Sequence, residues 1–434
     1  MKKKIPFKLG VAGITWIMAG SAYAGGFQIS EQSVVGMGRA FAGYGMVADD
    51  ASAVFYNPAG MTALKGTQIQ GMAYYLSSHA KFKNKGTSLT VVSPGGPLTF
   101  PDSGSQPDGG DDSPFGGGYF KIDINDWVAF GLGMTVPFGL VTDYANRWVG
   151  RYHALRSEVK TIDINPSLAF RIAEGLSIGV GASAQYVEAK LSRALFLVNP
   201  TTGAQLPDGK AKVKGNDWSA GYNVGVMYEF GPNTRFGVGF RSKVEYKLKG
   251  DLKIRSLVRN AELKAKADLT LPETVHIGIF HRFDDHWSVA LGARWTNWSR
   301  FKELRVRSPG LPDQVTKENW NDSWTANIGV NYDLNPAWSF RAGYAFDETP
   351  VPNSRLRTPR IPDNTRHWLT AGASYHYGEA ISVDIAYAHI FVEDTRIDNT
   401  IDLVATKPGL FRHQLVGKFD SSVNLGGIQM TFRF

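Results

Sequence analysis

Apolar and polar residues alternate along most of this chain with a period of two. Near its end the apolar positions on one face are Ile428, Met430, Phe432 and Phe434. This period is typical of a β-strand with one apolar and one polar face. We expect such strands where one face meets lipid and the other meets water, and we expect a barrel-closing strand to finish on an aromatic residue such as Phe434.

Short turns and long polar loops alternate between the strand-like runs. The predicted tight turns are Asn125-Asp126, Glu174-Gly175, Gly231-Pro232-Asn233, Asp284-Asp285-His286, Asn335-Pro336-Ala337 and Gly378-Glu379. Long connections fall near residues 82–113, 138–156, 194–214, 250–262, 306–318, 348–364 and 394–416. They separate about 14 strands, an even number typical of bacterial outer-membrane barrels. We therefore predict an all-β fold, a 14-stranded antiparallel transmembrane β-barrel formed by residues 67–434.

A soluble β-sandwich is the alternative fold, because its apolar face would be its core. Two features favour the membrane. Trp127, Trp287 and Trp338 each follow a short turn, where the aromatic girdle of a barrel would lie. The polar faces also carry arginines that suit a wet lumen, namely Arg171, Arg241, Arg294 and Arg341.

The first 24 residues have the composition of a secretory signal peptide. Basic residues precede an apolar stretch, and Ala22-Tyr23-Ala24 is a small-x-small cleavage site. We therefore expect export, cleavage and a mature chain that begins at Gly25, located in the bacterial outer membrane.

Charge and cysteine content narrow the function classes. The formal net charge is +8, and four of the lysines belong to the signal segment. Because the remaining excess is small and spread along the chain, we expect no nucleic-acid partner. The chain has no cysteine, so disulfides cannot stabilise it.

Residues 25–66 lack the period of two and are rich in glycine. A barrel of this size is wider than one that side chains can fill, so an open lumen would leak small solutes. We predict that this segment is a plug inside the lumen, held against the wall at a turn formed by Asn57, Pro58 and Ala59. The alternative, a disordered leader, is disfavoured by apolar residues such as Phe41 and Phe55.

The sequence resembles the FadL family of outer-membrane transporters for long-chain fatty acids and other hydrophobic compounds. The matching segments are Gly26-Phe27-Gln28-Ile29, Gly36-Met37-Gly38-Arg39-Ala40, Ala48-Asp49-Asp50-Ala51, Asn57-Pro58-Ala59, Pro137-Phe138-Gly139-Leu140, Arg241-Ser242-Lys243-Val244, Phe340-Arg341-Ala342-Gly343-Tyr344-Ala345-Phe346-Asp347, Pro350-Val351-Pro352, Ile361-Pro362-Asp363 and Trp368-Leu369-Thr370-Ala371-Gly372. Their order and spacing carry the resemblance. It implies a barrel of the same strand number with an N-terminal hatch inside it.

The third strand is predicted to contain a kink. Gly131, Gly133, Pro137 and Gly139 cluster where a regular ladder should run, and Pro137 lacks the N–H that the ladder needs. The resemblance implies that this kink opens the wall sideways toward the membrane. The alternative is an ordinary strand end at Val136.

The resemblance also implies where a fatty acid would bind. The candidate partners of its carboxylate are Arg193 and Arg305, although both could equally be interfacial charges near lipid headgroups. Leu195, Phe196 and Leu197 could form part of an outer groove that captures substrate. Phe27 is expected to occupy the binding pocket when it is empty.

We therefore expect a passive transporter rather than an enzyme, with no catalytic residues, metal or cofactor. Its expected partners are long-chain fatty acids or other hydrophobic small molecules, and outer-membrane lipid and lipopolysaccharide around the barrel. We expect a monomer. An outer-membrane lipase or esterase and a general porin for polar solutes are the alternatives.

Overall fold

The computed structural model describes residues 25–199, 204–404 and 406–434, so the predicted signal peptide, residues 1–24, lies outside the described residues. The strands in chain order are β1 (Gln68–Asn84), β2 (Ser88–Ser93), β3 (Gly96–Pro101), β4 (Ser113–Asn125), β5 (Val128–Thr135), β6 (Gly139–Asp143), β7 (Arg156–Ala173), β8 (Leu176–Val198), β9 (Gln205–Phe230), β10 (Thr234–Arg241), β11 (Val244–Arg255), β12 (Ala261–Leu271), β13 (Thr274–Arg282), β14 (Trp287–Thr296), β15 (Glu303–Arg307), β16 (Gln314–Lys317), β17 (Ser323–Asn335), β18 (Trp338–Asp347), β19 (Arg366–Tyr377), β20 (Ile381–Val392), β21 (Thr395–Asp402) and β22 (Phe411–Arg433). The helical elements are α1 (Val34–Gly38), α2 (Ala53–Tyr56) and the 3-10 turns Pro58–Ala63 and Trp298–Arg300.

The sheet closes on itself. Antiparallel pairing runs from β1 through β4, β5, β7, β8, β9, β10, β13, β14, β17, β18, β19 and β20 to β22, which pairs again with β1. The wall therefore has 14 strands, as the turn and loop pattern predicted. Closure leaves no edge strand, and edges are the feature that bilayers do not tolerate. At several of the 14 positions in the wall, two strands that are consecutive in the chain follow one another along the same line. Examples are β10 with β11, which both pair with β9, and β12 with β13.

The two faces of the wall separate as the alternation predicted. On β22, Ile428 is 52% exposed on the outer face, whereas Gln429 and Thr431 are each 1% exposed on the inner face. Trp127, Trp287 and Trp338 are also exposed, just past short turns. An apolar outside and a polar inside are the reverse of a soluble core, and they match a barrel embedded in lipid. Among the described residues, no helix is long and apolar enough to cross a membrane.

The inward arginines contact residues 25–66, which are almost entirely buried. Arg241 donates to the Phe55 carbonyl at 3.2 Å, and Arg171 donates to the Thr62 carbonyl at 2.8 Å. Arg294 donates to Ser30 Oγ. These charges do not face open water as the sequence suggested, because the N-terminal segment occupies the lumen beside them.

Short helices in this segment depend on the barrel. α1 has five residues and α2 has four, which is too short for stability in isolation. Asp50 accepts hydrogen bonds from Ser33 Oγ at 2.5 Å and from Gln429 Nε2 on β22 at 3.1 Å. Gln70 on β1 donates to Asp50 as well, at 3.4 Å. One buried carboxylate therefore joins two parts of the segment to two strands.

Candidate functional site

An apolar cavity of about 780 Å³ lies inside the outer half of the barrel. We call it the inner cavity. Its walls are formed mainly by aliphatic and aromatic side chains, among them Phe27, Leu140, Val159, Leu191, Leu248, Leu269, Phe301, Leu304, Val306 and Ile361. Small-molecule sites are likewise lined mainly by hydrophobic and aromatic side chains. The cavity therefore suits an apolar ligand.

Arg360 is a charged group at this cavity. Its Nη1 donates to Ser157 Oγ at 3.2 Å, and its Nη2 donates to the His153 carbonyl at 2.9 Å. In the part of the chain that the structure describes, no carboxylate lies within ion-pair distance of it. Burial and the neighbouring Arg193 lower the pKa of Arg360 to about 10, so it stays protonated at neutral pH. A buried cation without a partner is costly unless an anion binds there.

Arg193 lies beside Arg360 in a second cavity, of about 1,770 Å³, which we call the outer cavity. Its Nε is buried and has no hydrogen-bond partner within the described ranges, and no ion pair forms there either. The two cavities share Arg360, Leu304 and Val306 as lining residues. The two cavities therefore adjoin at these residues, and Arg193 lies beside Arg360 there.

Glu318 is the acidic residue that lines the inner cavity. It accepts a hydrogen bond from Trp320 Nε1 at 3.1 Å. Burial raises the pKa of Glu318 to about 8, so its carboxyl group is mostly protonated at neutral pH. It therefore leaves the positive charge of the two arginines largely uncompensated.

The structure does not bring Arg305 into this site. Leu304 and Val306 line the cavities, so the side chain of Arg305 between them points to the outer face of β15. It pairs there with Glu303 at 2.6 Å and with Asp313 at 2.9 Å. Arg305 already has two carboxylate partners, and we leave it out of the candidate site.

The three residues expected in one outer groove do not share a face. Phe196 is 7% exposed and packs against Tyr152 and Phe411 in a cluster of outer-loop aromatics. Leu195 packs against a different cluster, around Leu252. Leu197 follows on the same strand, opposite Leu206. Strand alternation separates the three side chains, so they do not form a single apolar groove.

Phe27 is one of the residues that line the inner cavity. Its ring is 4.8 Å from Trp298 and 6.0 Å from each of Phe138, Phe301 and Trp320, measured between centroids. This aromatic cluster closes the end of the cavity next to Phe138, while Leu140 of β6 lines the cavity itself.

The third course of the wall is interrupted between β5 and β6. Thr135 pairs with Asp163 and Gly139 pairs with Lys160, so residues 136–138 oppose only residues 161–162 of β7. The extra residue bends the chain inward, as a bulge does. Thr161 Oγ1 accepts from Phe138 N at 2.9 Å and donates to Phe138 O at 2.7 Å. The bend is therefore held by a side chain where the ladder is missing.

Only two of the four residues predicted to form the kink lie at the interruption. Pro137 lies inside the interruption and Gly139 lies at its outer border, but Gly131 and Gly133 are in the regular ladder of β5. A Cβ atom at Gly131 would lie 2.4 Å from Met61 Sδ and 2.5 Å from a Val54 methyl. Gly131 is thus required by close packing against the N-terminal segment.

The N-terminal residues pair with the interrupted strand. Ile29 N donates to the Pro137 carbonyl at 2.8 Å, and Gly139 N donates to the Phe27 carbonyl at 3.0 Å. Gln28 forms a bridge with Phe138. The segment that places Phe27 in the cavity therefore also completes the hydrogen bonding of the bend.

A third cavity, of about 660 Å³, lies at the interruption, and we call it the wall cavity. β4 pairs with β5 only as far out as Gly118, whereas its ladder with β1 continues to Ser113. The wall cavity is lined by Phe115 and Val136, which face inward, and by Ile162 and Tyr186, which face outward. Its lining therefore includes side chains from both faces of the wall.

Asn57, Pro58 and Ala59 contact the wall where two strands carry glycine. Asn57 Nδ2 donates to the Val226 carbonyl at 3.0 Å, and its Oδ1 accepts from Ala59 N at 3.0 Å. A Cβ atom at Gly225 would lie 1.9 Å from Asn57 Oδ1. The turn can approach the strand this closely only because Gly225 has no side chain.

Sequence reasoning missed Arg360 and Glu318. Both lie in long loops, where the period of two gives no information about direction. Arg360 directly precedes Ile361-Pro362-Asp363, one of the segments that carry the resemblance, and this adjacency was the available signal. Within the described ranges, no group of three or more His, Cys, Asp or Glu side chains is placed to hold a metal ion.

A closed 14-stranded barrel with an apolar outer face is the architecture of a bacterial outer-membrane protein. The family model described as outer membrane protein transport protein (OMPP1/FadL/TodX) matches residues 15–434. The chain belongs to this family.

Similar proteins agree with this placement. The long-chain fatty acid transport protein of Salmonella typhi is 28% identical over 428 residues, covering 92% of this chain and 95% of that protein. Outer membrane protein P1 of Haemophilus influenzae is 31% identical over 404 residues, covering 86% of this chain and 87% of that protein. The crystal structure of a Pseudomonas aeruginosa FadL homologue superposes with a TM-score of 0.83 at 26% identity, covering 94% of this chain and 100% of that one.

Proposed function

We propose that this protein carries long-chain fatty acids passively across the outer membrane. The observation that carries the proposal is the apolar inner cavity with Arg193 and Arg360 at its mouth. Neither arginine forms an ion pair with a residue that the structure describes. A hydrocarbon chain gains free energy on leaving water for such a cavity, at about 25 cal/mol per Å² buried. A carboxylate gains charge-assisted hydrogen bonds from the arginines. The Salmonella typhi relative is named a long-chain fatty acid transport protein, which agrees with this substrate class.

Entry takes place through the outer cavity. Its lining includes both polar side chains and apolar ones such as Leu356 and Ile401, so a chain arriving from the sugar layer exchanges water for protein contacts in stages. The carboxylate stops at Arg193 and Arg360 while the hydrocarbon passes into the inner cavity. Phe27 lies at the far end of that path.

Exit takes place sideways through the wall cavity. The barrier between the inner cavity and the wall cavity is the contact of Phe27 with Phe138, both on segments that pair with each other. Displacement of residues 27–29 removes both the ring and the backbone bonds at Pro137 and Gly139. The substrate then reaches the lipid through the gap between β4 and β6.

The mature N-terminus anchors this movable segment. If cleavage follows Ala24, the nitrogen that lies 2.8 Å from Asp347 Oδ2 becomes the α-ammonium group of Gly25. Gly26 N donates to Asp363 at 3.1 Å next to it. A new buried cation beside two carboxylates holds the segment in place until substrate binds.

The alternatives fit the site less well. A general porin needs an open aqueous lumen, and residues 25–66 fill this one. An esterase needs an acid that orients a histidine beside a serine. Ser339 lies 3.5 Å from His376, but its hydroxyl donates to Asp333 at 2.6 Å, so the carboxylate does not orient the imidazole.

Reconstituted liposomes test the three functions together. The liposomes contain the mature protein and a trapped pH indicator, and they receive a long-chain fatty acid, a disaccharide or a short-chain ester. We expect faster acidification with the fatty acid than in protein-free vesicles, no swelling with the sugar and no ester cleavage. Sugar-driven swelling would support a porin, and ester cleavage would support an esterase.

A further inference from the structure

The outward face of the barrel carries a dense group of cations above one part of the membrane band. Trp218 and Tyr222 on β9 are 57% and 56% exposed and mark the outer end of that band. Farther out, exposed cations cover β9, β11, β12 and β15. The group, which we call the basic belt, consists of Lys210, Lys212, Lys249, Arg255, Lys266 and Arg307.

The belt side chains are exposed on the outer face of the wall, and Lys266 also borders the inner cavity. The belt residues alternate along each strand with Ala211, Leu252, Ala265 and Val306, which pack together inside the barrel. Side chains on successive strand positions point to opposite faces. The belt therefore lies on the outside of the wall.

Strand register places like charges directly opposite each other. Lys249 pairs with Lys266 across β11 and β12, and Lys266 pairs with Arg307 across β12 and β15. Arg255 pairs with Lys210 across β11 and β9. Like charges opposite one another destabilise a sheet, because neighbouring side chains on one face lie close together. A row of three adjacent cations needs an anion from elsewhere.

Neighbouring acidic residues do not supply enough negative charge. Asp268 pairs with Arg307 at 2.7 Å, while Glu262 and Asp251 pair with Lys253 and Lys264 at 2.9 and 3.0 Å. Among the residues that the structure describes, Lys212, Lys249 and Lys266 have no ion pair. The available carboxylates are used, and the belt keeps an excess of positive charge.

The height of the belt identifies its surroundings. Lys249 pairs with Asn216, which is two residues outward of Trp218 on β9, so it lies roughly 7 Å farther along the strand. Exposed tryptophans of membrane proteins lie at the level of the headgroups. The belt therefore begins at headgroup height and extends outward from there.

We propose that the basic belt binds the phosphate groups of lipopolysaccharide in the outer leaflet. Adjacent cations from different strands can contact one phosphate together, with charge-assisted hydrogen bonds from each. The anion also removes the repulsion within the row of Lys249, Lys266 and Arg307. The occupant is the phosphorylated glycolipid, because the belt extends outward to Lys210, eight residues beyond Trp218 on β9. That is roughly 27 Å along the strand, farther than the roughly 5–8 Å of a phospholipid headgroup layer.

Retention of lipid A by the full mature protein in detergent tests this proposal. The belt variant combines Lys212→Gln, Lys249→Gln and Lys266→Gln. The matched control combines Lys81→Gln, Lys83→Gln and Lys418→Gln, lysines on the outward face of β1 and β22 that lie beside Asp420 or Asp394. Heat-dependent gel mobility checks that each variant forms the barrel.

Native mass spectrometry with bisphosphorylated lipid A gives the readout. We expect the belt variant to bind it roughly 100-fold more weakly than the unmodified protein, since each lysine near an anionic lipid surface contributes about fivefold. The control variant should stay within about twofold. Equal affinity of the folded belt variant and the unmodified protein would overturn the proposal.

Two further lipids distinguish the source of binding. Lipid A without phosphates should bind the unmodified protein as weakly as bisphosphorylated lipid A binds the belt variant. If it binds as tightly as the phosphorylated form, acyl chains alone hold the lipid and the proposal fails. If phosphatidylglycerol vesicles compete as well as lipid A does, the belt is a general anion surface and the assignment to lipopolysaccharide fails.

Discussion

Arg360 and Arg305 are both arginines of the outer half of the barrel, but their surroundings differ completely. Arg360 borders an apolar cavity and, within the described ranges, hydrogen-bonds to Ser157 and a carbonyl but to no carboxylate. Arg305 lies on the outer face and contacts two carboxylates. A cation whose charge is already compensated has little to gain from a ligand carboxylate, whereas an uncompensated buried one has much to gain. The surroundings, and not the residue type, decide which arginine can bind a fatty acid.

Reversing the charge at each position should produce the largest contrast. Arg360→Glu places an anion beside the ligand carboxylate and removes its partner, so we expect fatty-acid affinity to fall by more than about 100-fold, from two or more lost charge-assisted interactions. Arg305→Glu should change it by less than about threefold. Isothermal titration calorimetry of both variants with a fatty acid measures these affinities. Similar losses of affinity in the two variants would show that Arg360 has no special role in binding.

Neutral substitution at the second arginine should have a smaller effect. Arg193→Gln removes one charged hydrogen-bond donor but leaves Arg360, so we expect roughly tenfold weaker binding, equivalent to about 1.5 kcal/mol. Arg305→Gln is the control for lost arginine at the same height of the barrel. An unchanged affinity in folded Arg193→Gln would remove Arg193 from the site.

Glu318 should make the affinity for fatty acids depend on pH. Its pKa is raised to about 8, so it is neutral below that pH and becomes an anion near the ligand above it. We expect fatty-acid affinity of the unmodified protein to fall as pH rises through about 8. Glu318→Gln should match it at pH 6 and keep that affinity up to pH 9, because Arg360 stays protonated throughout this range.

Titration from pH 6 to pH 9 in a non-ionic detergent measures this difference. Parallel curves for the two proteins would show that the charge of Glu318 does not affect ligand binding.

The carboxyl group of Glu318 also affects folding stability. Its raised pKa stabilises the native state at low pH, and that contribution is lost as pH rises through the pKa of the folded state.

The smallest effect concerns stability. Arg305 and its carboxylate partners are partly exposed, and such pairs contribute about 0–1 kcal/mol. We expect Arg305→Gln to shift the unfolding midpoint in urea only slightly. A large loss of stability would mean that the ion pair between Arg305 and Asp313 stabilises the outer half of the barrel. That would contradict the minor role assigned to Arg305 relative to Arg360.

The barrel itself was predictable from sequence because its determinants are local. A period of two fixes which residues of β22 face lipid, and tight turns such as Glu174-Gly175 mark where strands end. Even the break at Pro137 follows from one missing N–H. These features depend on residues close to one another in the chain.

The binding site was only partly predictable because its residues meet through tertiary contacts. Arg360 reaches the cavity from a loop that folds back over the barrel and contacts Ser157, 203 positions away in sequence. Arg193 and Arg305 looked equivalent, since the sequence does not show that Arg305 pairs with Asp313 while Arg193 forms no ion pair among the residues that the structure describes. Gly131 looked like part of a kink because its neighbour Met61 is distant in the chain.

The central claim is that two uncompensated arginines recognise a carboxylate at the mouth of an apolar cavity. The most direct measurement is the ratio of affinities for a long-chain fatty acid and the alcohol of equal length, in the unmodified protein and in the double variant Arg193→Gln with Arg360→Gln. The account predicts that the acid binds at least about tenfold more tightly than the alcohol to the unmodified protein and about equally to the variant. An acid preference that survives in the folded variant would contradict it.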